Sequence, residues 1–362
     1  MKYVDEFRDP QAARRLVERI RARSTRPIQL MEFCGGHTHA IFKIGLRQLL
    51  PGHLHLRSGP GCPVCVTSSA DLERAMALAR LPDVILATYG DMVRVPGSRG
   101  SLQEARAAGA DVRIVYSTLD AIEIARKNPA RSVVFLGVGF ETTAPTTAAA
   151  LLQAEAEGIA NFSVLCLHKL TPPATRAILD AGEVRLDGVL GPGHVTTIIG
   201  AEAWRFLPEQ YGISCVVAGF EPLDILSGVA ALVDLYEEGT ADVRNAYGRS
   251  VSSEGNRVAQ EMMDRVFEVS TADWRGFGPI LKSGYALRKA YAHRDAARIF
   301  PVEVEEVPEP RGCRCGEVLR GIMEPTECGL FRTVCSPRTP VGPCMVSSEG
   351  ACAAYYRYGA AA

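Results

Sequence analysis

Eleven cysteines stand in this chain of 362 residues, and they are not scattered. Three come early (Cys34, Cys62, Cys65), two lie singly in mid-chain (Cys166, Cys215), and six crowd the last fifty residues: Cys313, Cys315, Cys328, Cys335, Cys344 and Cys352. Thiols that serve only as small core hydrophobes should be dispersed, so clusters indicate chemistry. In the C-terminal set fourteen residues separate Cys313 from Cys328, six separate Cys328 from Cys335 and sixteen separate Cys335 from Cys352, with Cys315 and Cys344 interpolated. Four thiolates converging from loops hold an iron–sulfur cluster or a structural zinc. The paired C-x2-C knuckles of a zinc ribbon are absent from this set, as is the tight ferredoxin run, so the spacing supports a four-thiolate centre and favours iron over zinc. The bland alternative is a set of free structural cysteines.

Two shorter constellations lie upstream. Gly59-Pro60-Gly61-Cys62-Pro63-Val64-Cys65 carries a C-x-x-C pair, a dithiol/disulfide couple by spacing. Residues 53–58 read as a strand, and 68–80 as a helix with Ser68-x-x-Asp71 as its start signal. Thiols just ahead of a helix feel its positive end, which favours thiolate. Half a zinc site or a plain turn are the competing readings. In Cys34-Gly35-Gly36-His37-Thr38-His39 the cysteine falls at the carboxyl end of an expected strand, where open α/β sheets hold ligands. Cys34 and His37 suit a nucleophile and base, or metal ligands, while a tight turn capped by Thr38 is the structural alternative. Glu141, His194 and Glu221 follow glycine turns after apolar runs and are candidate cleft residues, with helix N-terminal carboxylates the equal alternative for Glu141 and Glu221 and a structured turn for 191–194. Cys166 and Cys215 lie within apolar runs and read as core thiols.

The elements that must position these groups repeat one unit: a short apolar run, a glycine turn, then a helix. Residues 84–91, 133–141, 189–194 and 216–222 are examples. Continuous apolar strands alternating with helices are the signature of parallel sheets covered on both faces. Gly-Phe-Glu occurs at 139–141 and again at 219–221, a faint internal echo. The expected fold class is α/β: two similar parallel-sheet domains and a small irregular C-terminal iron–sulfur region. The expected divisions are 1–126, 127–300 and 301–362, with the first boundary at a Lys127-Asn128-Pro129 break. Residues 4–23 read as an amphipathic helix with a solvated basic face, 40–50 as helical, 232–297 as mostly helical, and 300–311 as a Pro- and Glu-rich connector. The tail beyond it is punctuated by Gly and Pro and has little core of its own, so a bound metal centre would hold it together.

Composition narrows the function classes. Hydrophobic residues make up 47% and charged residues 22%, which excludes wholesale disorder. A net charge of -1 offers nothing to nucleic acid or an anionic membrane. No apolar run nears the ~18–20 residues of a membrane span, and no signal-peptide core is present. An odd cysteine count without such a signal points to a reducing compartment, the cytoplasm. Neither G-x-G-x-x-G nor a G-K-[ST] loop occurs, so nucleotide binding has little support.

Taken together, FCGGHTHAI (33–41), GPGCPVC (59–65), GFETTAP (139–145), GPGHVTTIIG (191–200) and MVSSEGACAAYY (345–356) resemble the HypD family of hydrogenase maturation proteins. The resemblance runs from about residue 25 to the C-terminus, in order. It implies two similar α/β domains and an iron–sulfur region. It implies a role in building the Fe(CN)2CO group of [NiFe] hydrogenases, with a HypC-type chaperone and a HypE-type cyanide donor as partners. By that resemblance Cys34 holds the iron that transiently carries CN and CO, with His37 beside it, and Cys62 and Cys65 are the redox pair. The [4Fe-4S] ligands map onto Cys313, Cys328, Cys335 and Cys352, with Cys315 and Cys344 as rivals.

Elementary chemistry fits that task. Low-spin iron taking up CN⁻ and CO needs soft anchoring and open positions, which one thiolate at a glycine-flanked strand end supplies. Releasing cyanide from a carrier-bound thiocyanate needs two electrons, and a dithiol holds two. A second function class is an iron–sulfur-dependent protein disulfide reductase, which needs Cys62 and Cys65 but has no use for Cys34. A third is a zinc-stabilised interaction protein.

Overall fold

The computed structural model describes residues 5–304 and 308–359. Val4, at the start of the expected first helix, and residues 305–307 of the connector lie outside the described residues. The first helix runs Pro10–Arg23. Asp9 caps it, accepting from the Gln11 and Ala12 N–H groups at 2.7 and 2.9 Å. It buries Val17 and Ile20 and lays its arginines along the helix Pro222–Glu238, with Arg23 3.4 Å from Glu238. The basic face is solvated and ion-paired, as expected.

Nine strands form two parallel sheets. β1 (Ile28–Glu32) and β2 (Leu54–Ser58) open the chain; β3 (Val84–Thr88), β4 (Asp111–Ile114), β5 (Ser132–Gly139) and β6 (Phe162–His168) follow; β7 (Gly188–Pro192), β8 (Ser214–Ala218) and β9 (Val243–Asn245) come last. Their spatial orders are β2-β1-β7-β8-β9 and β4-β3-β5-β6. Every residue of β3, β7 and β8 is buried, the pattern that continuous apolar runs dictate for strands covered on both faces.

The division of the chain differs from the one expected. β3 pairs with β5 across residues 126–131, so that boundary falls inside the four-stranded sheet. β1 pairs with β7, so the five-stranded sheet is built from both sides of the other. The two sheets are interleaved in sequence because a strand pairs where its buried face fits, not with its neighbour in the chain. One apolar core, including Phe33, Cys65, Leu86, Leu136, Val189 and Trp274, spans both.

Residues 232–297 are less helical than expected. After the helix Arg257–Val266 the chain forms an antiparallel hairpin of β10 (Phe267–Trp274) and β11 (Gly278–Leu287). Buried residues are few in its strands and follow no regular alternation, so no apolar stripe announces them. At the tip, Trp274 bridges to Thr67 and the Arg275 N–H donates to the Val66 carbonyl at 2.9 Å. Gly276 (φ +82°) meets Gly316 so closely that an added Cβ would stand 2.4 Å from the Gly316 Cα. Residues 40–50 are likewise interrupted: the helix Gly35–Lys43 ends, and Gly45 (φ +68°) starts a separate turn, Leu46–Leu49. The tail holds three short helices, Cys315–Leu319, Pro343–Val346 and Ala351–Tyr358, joined by turns. The last docks on Gly35–Lys43 through Phe42 and Tyr355, ring centroids 4.2 Å apart.

Glu141, a candidate cleft residue, is buried instead. Its carboxylate accepts from the Thr171 N–H and hydroxyl at 2.7 and 2.8 Å, tying the end of β5 to the segment after β6. Burial pushes its pKa from an ordinary 4.5 up to about 7. The folded state therefore keeps a proton that the unfolded chain has already released. The stability this group contributes is full below pH 4.5 and is lost as pH rises through 7. Glu141→Gln cannot ionise. Relative to wild type it should gain about 3 kcal/mol between about pH 5 and about pH 8, measured by urea unfolding. An unchanged difference would remove Glu141 from the pH dependence.

Candidate functional site

In the five-stranded sheet the chain order reverses at β1, whose neighbours are β2 on one side and β7 on the other. The carboxyl ends of strands part there, leaving the crevice in which open α/β sheets bind ligands. Cys34 sits in it, two residues beyond β1, as the N-cap of the helix Gly35–Lys43. The amides of Gly36 and His37 point at its sulfur. Burial, with Glu349 and Glu32 nearby, nevertheless pushes the thiol up to about 12. The protein alone therefore holds Cys34 as a neutral thiol, and a bound cation is what would release its proton.

Glu32 and Phe220, which sequence reasoning passed over, complete this corner. Glu32 is buried, accepts the Cys34 N–H at 2.9 Å and takes the Thr38 hydroxyl, so Thr38 holds Glu32 rather than capping the helix. Burial lifts its pKa to about 8. The available signal was an acidic residue ending an apolar strand, Ile28-Gln29-Leu30-Met31-Glu32. His37 is fully buried, and its Nε2 lies 2.8 and 3.2 Å from the carbonyls of Gly219 and Ala218. Two acceptors require that Nε2 carry the hydrogen. Burial depresses its pKa to about 4, so the ring is neutral, and its Nδ1 lone pair has no partner. The Phe220 ring packs against both His37 (4.7 Å between centroids) and His194 (3.9 Å). His194 and Glu221 line an open pocket with Phe220, Tyr247, Arg249 and Ser250, so two of the three cleft candidates come together beside the Cys34 loop. Arg8 bonds to Glu221 at 2.8 Å, and Arg249 is paired with the buried Asp224 at 2.6 Å.

Cys62 and Cys65 form a disulfide with Cα atoms 5.2 Å apart, and both are buried, at 3% and 0% exposure. Cys62 caps, and Cys65 lies within, the helix Pro63–Val66, which is a single turn. The longer helix, Ser69–Ala79, starts beyond it, capped by Ser68 accepting the Asp71 N–H at 3.1 Å. The glycines before Cys62 bind this loop to Cys34: the Gly59 N–H donates to the Glu32 carbonyl and the Gly35 N–H to the Gly61 carbonyl, each at 2.8 Å. A Cβ on Gly61 would stand 2.3 Å from the Cys34 nitrogen and 2.4 Å from its Cα, backbone that cannot swing aside. Gly61→Ala should therefore cost about 3 kcal/mol and push Cys34 out of register. Chemical denaturation reads the first effect and Cys34 alkylation the second. Wild-type stability in that variant would mean the two loops are not rigidly joined.

All six C-terminal cysteines line one cavity, closed by Val318, Leu330, Phe331 and Met345. Cys315 and Cys344 are buried in its wall, while Cys313, Cys328 and Cys352 are half-buried. The Cys335 sulfur accepts from the Val341 N–H at 3.4 Å. Among the described residues no three His, Cys, Asp or Glu side chains converge on a single ion. Soft donors spread around a cavity suit a multi-iron cluster, which takes one thiolate per iron, better than a lone zinc. Cys315 and Cys344 line the cavity with the four expected ligands, and Cys315 lies deeper than Cys313.

The tail also joins the sites. The Cys65 sulfur is 3.9 Å from the Pro343 carbonyl oxygen, one residue before Cys344. Ser347 donates to Asp91, just past β3, at 2.9 Å, and the Ser348 carbonyl lies 3.3 Å from the His39 Nδ1. Residues between Cys344 and Cys352 thus run between the carboxyl ends of both sheets. Cys215 is buried in β8, as expected. Cys166 is only half-buried, with its sulfur donating to the Tyr285 carbonyl at 3.3 Å, and belongs to neither thiol group.

Comparison with known proteins gives one result. The family model HypD, described as the hydrogenase formation hypA family, matches residues 11–359. The hydrogenase maturation factor HypD of Azotobacter vinelandii is 51% identical over 368 residues, 99% of this chain and 97% of that protein. The hydrogenase expression/formation protein HupD of Azotobacter chroococcum mcd 1 is 50% identical over the same shares. The HypD of Escherichia coli (strain K12) is 46% identical over 366 residues, 99% and 98% of the two chains.

Proposed function

Because the chain belongs to the HypD family of hydrogenase formation proteins, we propose that it is the scaffold on which the Fe(CN)2CO group of a [NiFe] hydrogenase is assembled. A HypC-type chaperone and a HypE-type cyanide donor are its partners, in the cytoplasm. One observation carries the reading: Cys34 and the Cys62–Cys65 disulfide share a single hydrogen-bonded corner at the sheet's switch point.

Within that reading each residue has a task. Cys34 releases its proton to water as the iron, the substrate, binds, and anchors it through one soft thiolate that leaves other positions open. The free Nδ1 of His37 accepts a hydrogen bond or proton at that corner. Reduced Cys62 and Cys65 supply two electrons and two protons to a thiocyanate carrier. The S–CN bond breaks, a carrier thiol and HCN leave, and the Cys62–Cys65 bond forms. Four of the six tail thiols, drawn from Cys313, Cys315, Cys328, Cys335, Cys344 and Cys352, would hold a [4Fe-4S] cluster, whose chemistry when bound is one-electron transfer. The disulfide-reductase alternative needs Cys62 and Cys65 but has no use for Cys34, whose loop is hydrogen-bonded to theirs.

The test is anaerobic co-purification with HypC- and HypE-type partners followed by infrared spectroscopy. Iron-bound CN and CO stretches are expected on the complex. Partner-bound protein with a full iron–sulfur chromophore and no such bands would overturn the scaffold role.

A further inference from the structure

The turn that carries the redox pair is too short to hold itself. Pro63–Val66 is four residues long, and a single helical turn has almost no stability of its own and leaves its last carbonyls without partners inside the helix. Those carbonyls are met from a segment 208 residues beyond Thr67 in the chain. Arg275, at the tip of the β10–β11 hairpin, donates its backbone N–H to the Val66 carbonyl at 2.9 Å and its Nε–H to the Thr67 carbonyl at 3.0 Å. Another arm of the same guanidinium is paired with Glu309, which also accepts the Ser69 hydroxyl at 3.1 Å. Arg275 is only 3% exposed. Taking a cation out of water is costly, and an apolar side chain would seal the same space at less cost. What a guanidinium adds is a rigid fork that reaches two partners at once. The tip is itself fixed: Trp274 stacks on Phe140, centroids 6.0 Å apart, and its indole N–H donates to the Ser283 hydroxyl at 2.8 Å.

Resting on the redox reading of Cys62 and Cys65, we infer that Arg275 is a positioning residue for that couple, holding the two reduced thiols in the geometry from which the disulfide re-forms. In the oxidised protein the S–S bond ties Cys62 to Cys65. Once it opens, hydrogen bonds hold the turn. The Cys65 and Val66 N–H groups donate to the Cys62 carbonyl, each at 3.1 Å, and the Thr67 hydroxyl donates to the Pro63 carbonyl at 2.9 Å. The two bonds from Arg275 close the far end. Ordering a dithiol in advance raises the effective concentration of one sulfur at the other, which favours the disulfide. Loss of the fork frees the reduced turn more than the oxidised one, which the S–S bond still constrains. The dithiol then gains freedom, and the balance moves away from the disulfide. The charge of Arg275 acts in the opposite sense, since a cation favours thiolates and its removal favours the disulfide. Sign alone separates the two effects.

The experiment equilibrates the full chain, purified anaerobically, in dithiothreitol buffers of graded ratio and reads the Cys62–Cys65 pair by alkylation and mass spectrometry. Two electrons and two protons pass between dithiothreitol and the pair, so the readout is an equilibrium constant. Arg275→Met keeps an unbranched stem and removes the fork. Its constant for disulfide formation should fall at least about tenfold, equivalent to about 30 mV for a two-electron couple. Arg275→Lys keeps the charge without the fork and should fall in the same direction, and it carries the test if the methionine variant does not fold. Far-ultraviolet circular dichroism of the oxidised variants verifies the fold. A merely structural role would weaken both redox states alike and leave the constant where it is. A wild-type constant in the folded variants, or a rise in Arg275→Met, overturns the inference and leaves the redox reading intact. A wild-type pair that yields no dithiol at any ratio overturns the redox reading, and this inference with it.

Discussion

Cys34→Ala should retain the brown iron–sulfur chromophore and a titratable Cys62–Cys65 couple, yet lose the CN and CO infrared bands of its partner complex to background. The separation of effects follows from the geometry. Cys34 touches the redox loop through backbone atoms, since the Gly35 and Gly61 groups that bond the two loops are main-chain. Removing its sulfur therefore leaves that loop, and the cavity beyond Pro343, where they are. What is lost is the thiol just beyond β1, and the neutral His37 imidazole, with only Nδ1 free, offers neither the negative charge nor the softness of a thiolate in its place. Bands of normal intensity in Cys34→Ala would sink the scaffold role and revive the reductase. Loss of HypC-type binding along with the bands would put Cys34 at the interface itself.

Cys335→Ala should abolish the chromophore, with iron and sulfide falling at least about tenfold, and should loosen the tail as well. The tail's own apolar contacts are few: Val318, Met323 and Ala351 form one small group, Ala354 and Tyr355 pack on Phe42 of the helix Gly35–Lys43, and Leu319 and Val346 join the main core. A bound metal centre would then be the main bond among its three short helices, as in small domains whose folding energy is largely binding energy. The damage should reach the switch point through Ser347–Asp91 and His39–Ser348. Limited proteolysis between residues 313 and 359 should accelerate severalfold while both sheets keep their circular dichroism. A variant with full iron and sulfide would remove Cys335 from the ligands.

Parallel strands were legible in the sequence because buried strands are continuous apolar runs, as Val84–Thr88 and Ser214–Ala218 illustrate. Their order was not. Hydrophobicity states that β1 is buried on both faces but not that β7, rather than β3, lies beside it, so the boundary near 126–131 cut through a sheet. The hairpin of β10 and β11 escaped for the opposite reason: strands with few and irregularly spaced buried residues leave no alternation to read. In the site, Cys34, Cys62 and Cys65 announced themselves through glycine-flanked spacing, and the structure brings their loops into one corner. Glu32 did not, because a carboxylate is recognisable as a positioning group only once the Cys34 amide and Thr38 hydroxyl are seen on it. Which four of the six tail thiols belong together is invisible to spacing, since turns bring all six to the wall of one cavity.

On the ribosome the interleaved sheets finish in the reverse of the order in which they begin. All four strands of the inner sheet have been made by residue 168, whereas β1 gains its second neighbour only when residues 188–192 appear. Domains fold as units as the chain emerges, so the inner sheet closes first. β1 and β2 wait as a two-stranded parallel pair, too small to stand alone. A nascent chain halted short of β7 therefore presents an open, apolar strand edge, a seat for chaperones or for aggregation. Cys34 emerges early but acquires its crevice late, and the six tail thiols come last of all. The crevice beside Cys34 is therefore completed only after every strand of the four-stranded sheet has been made.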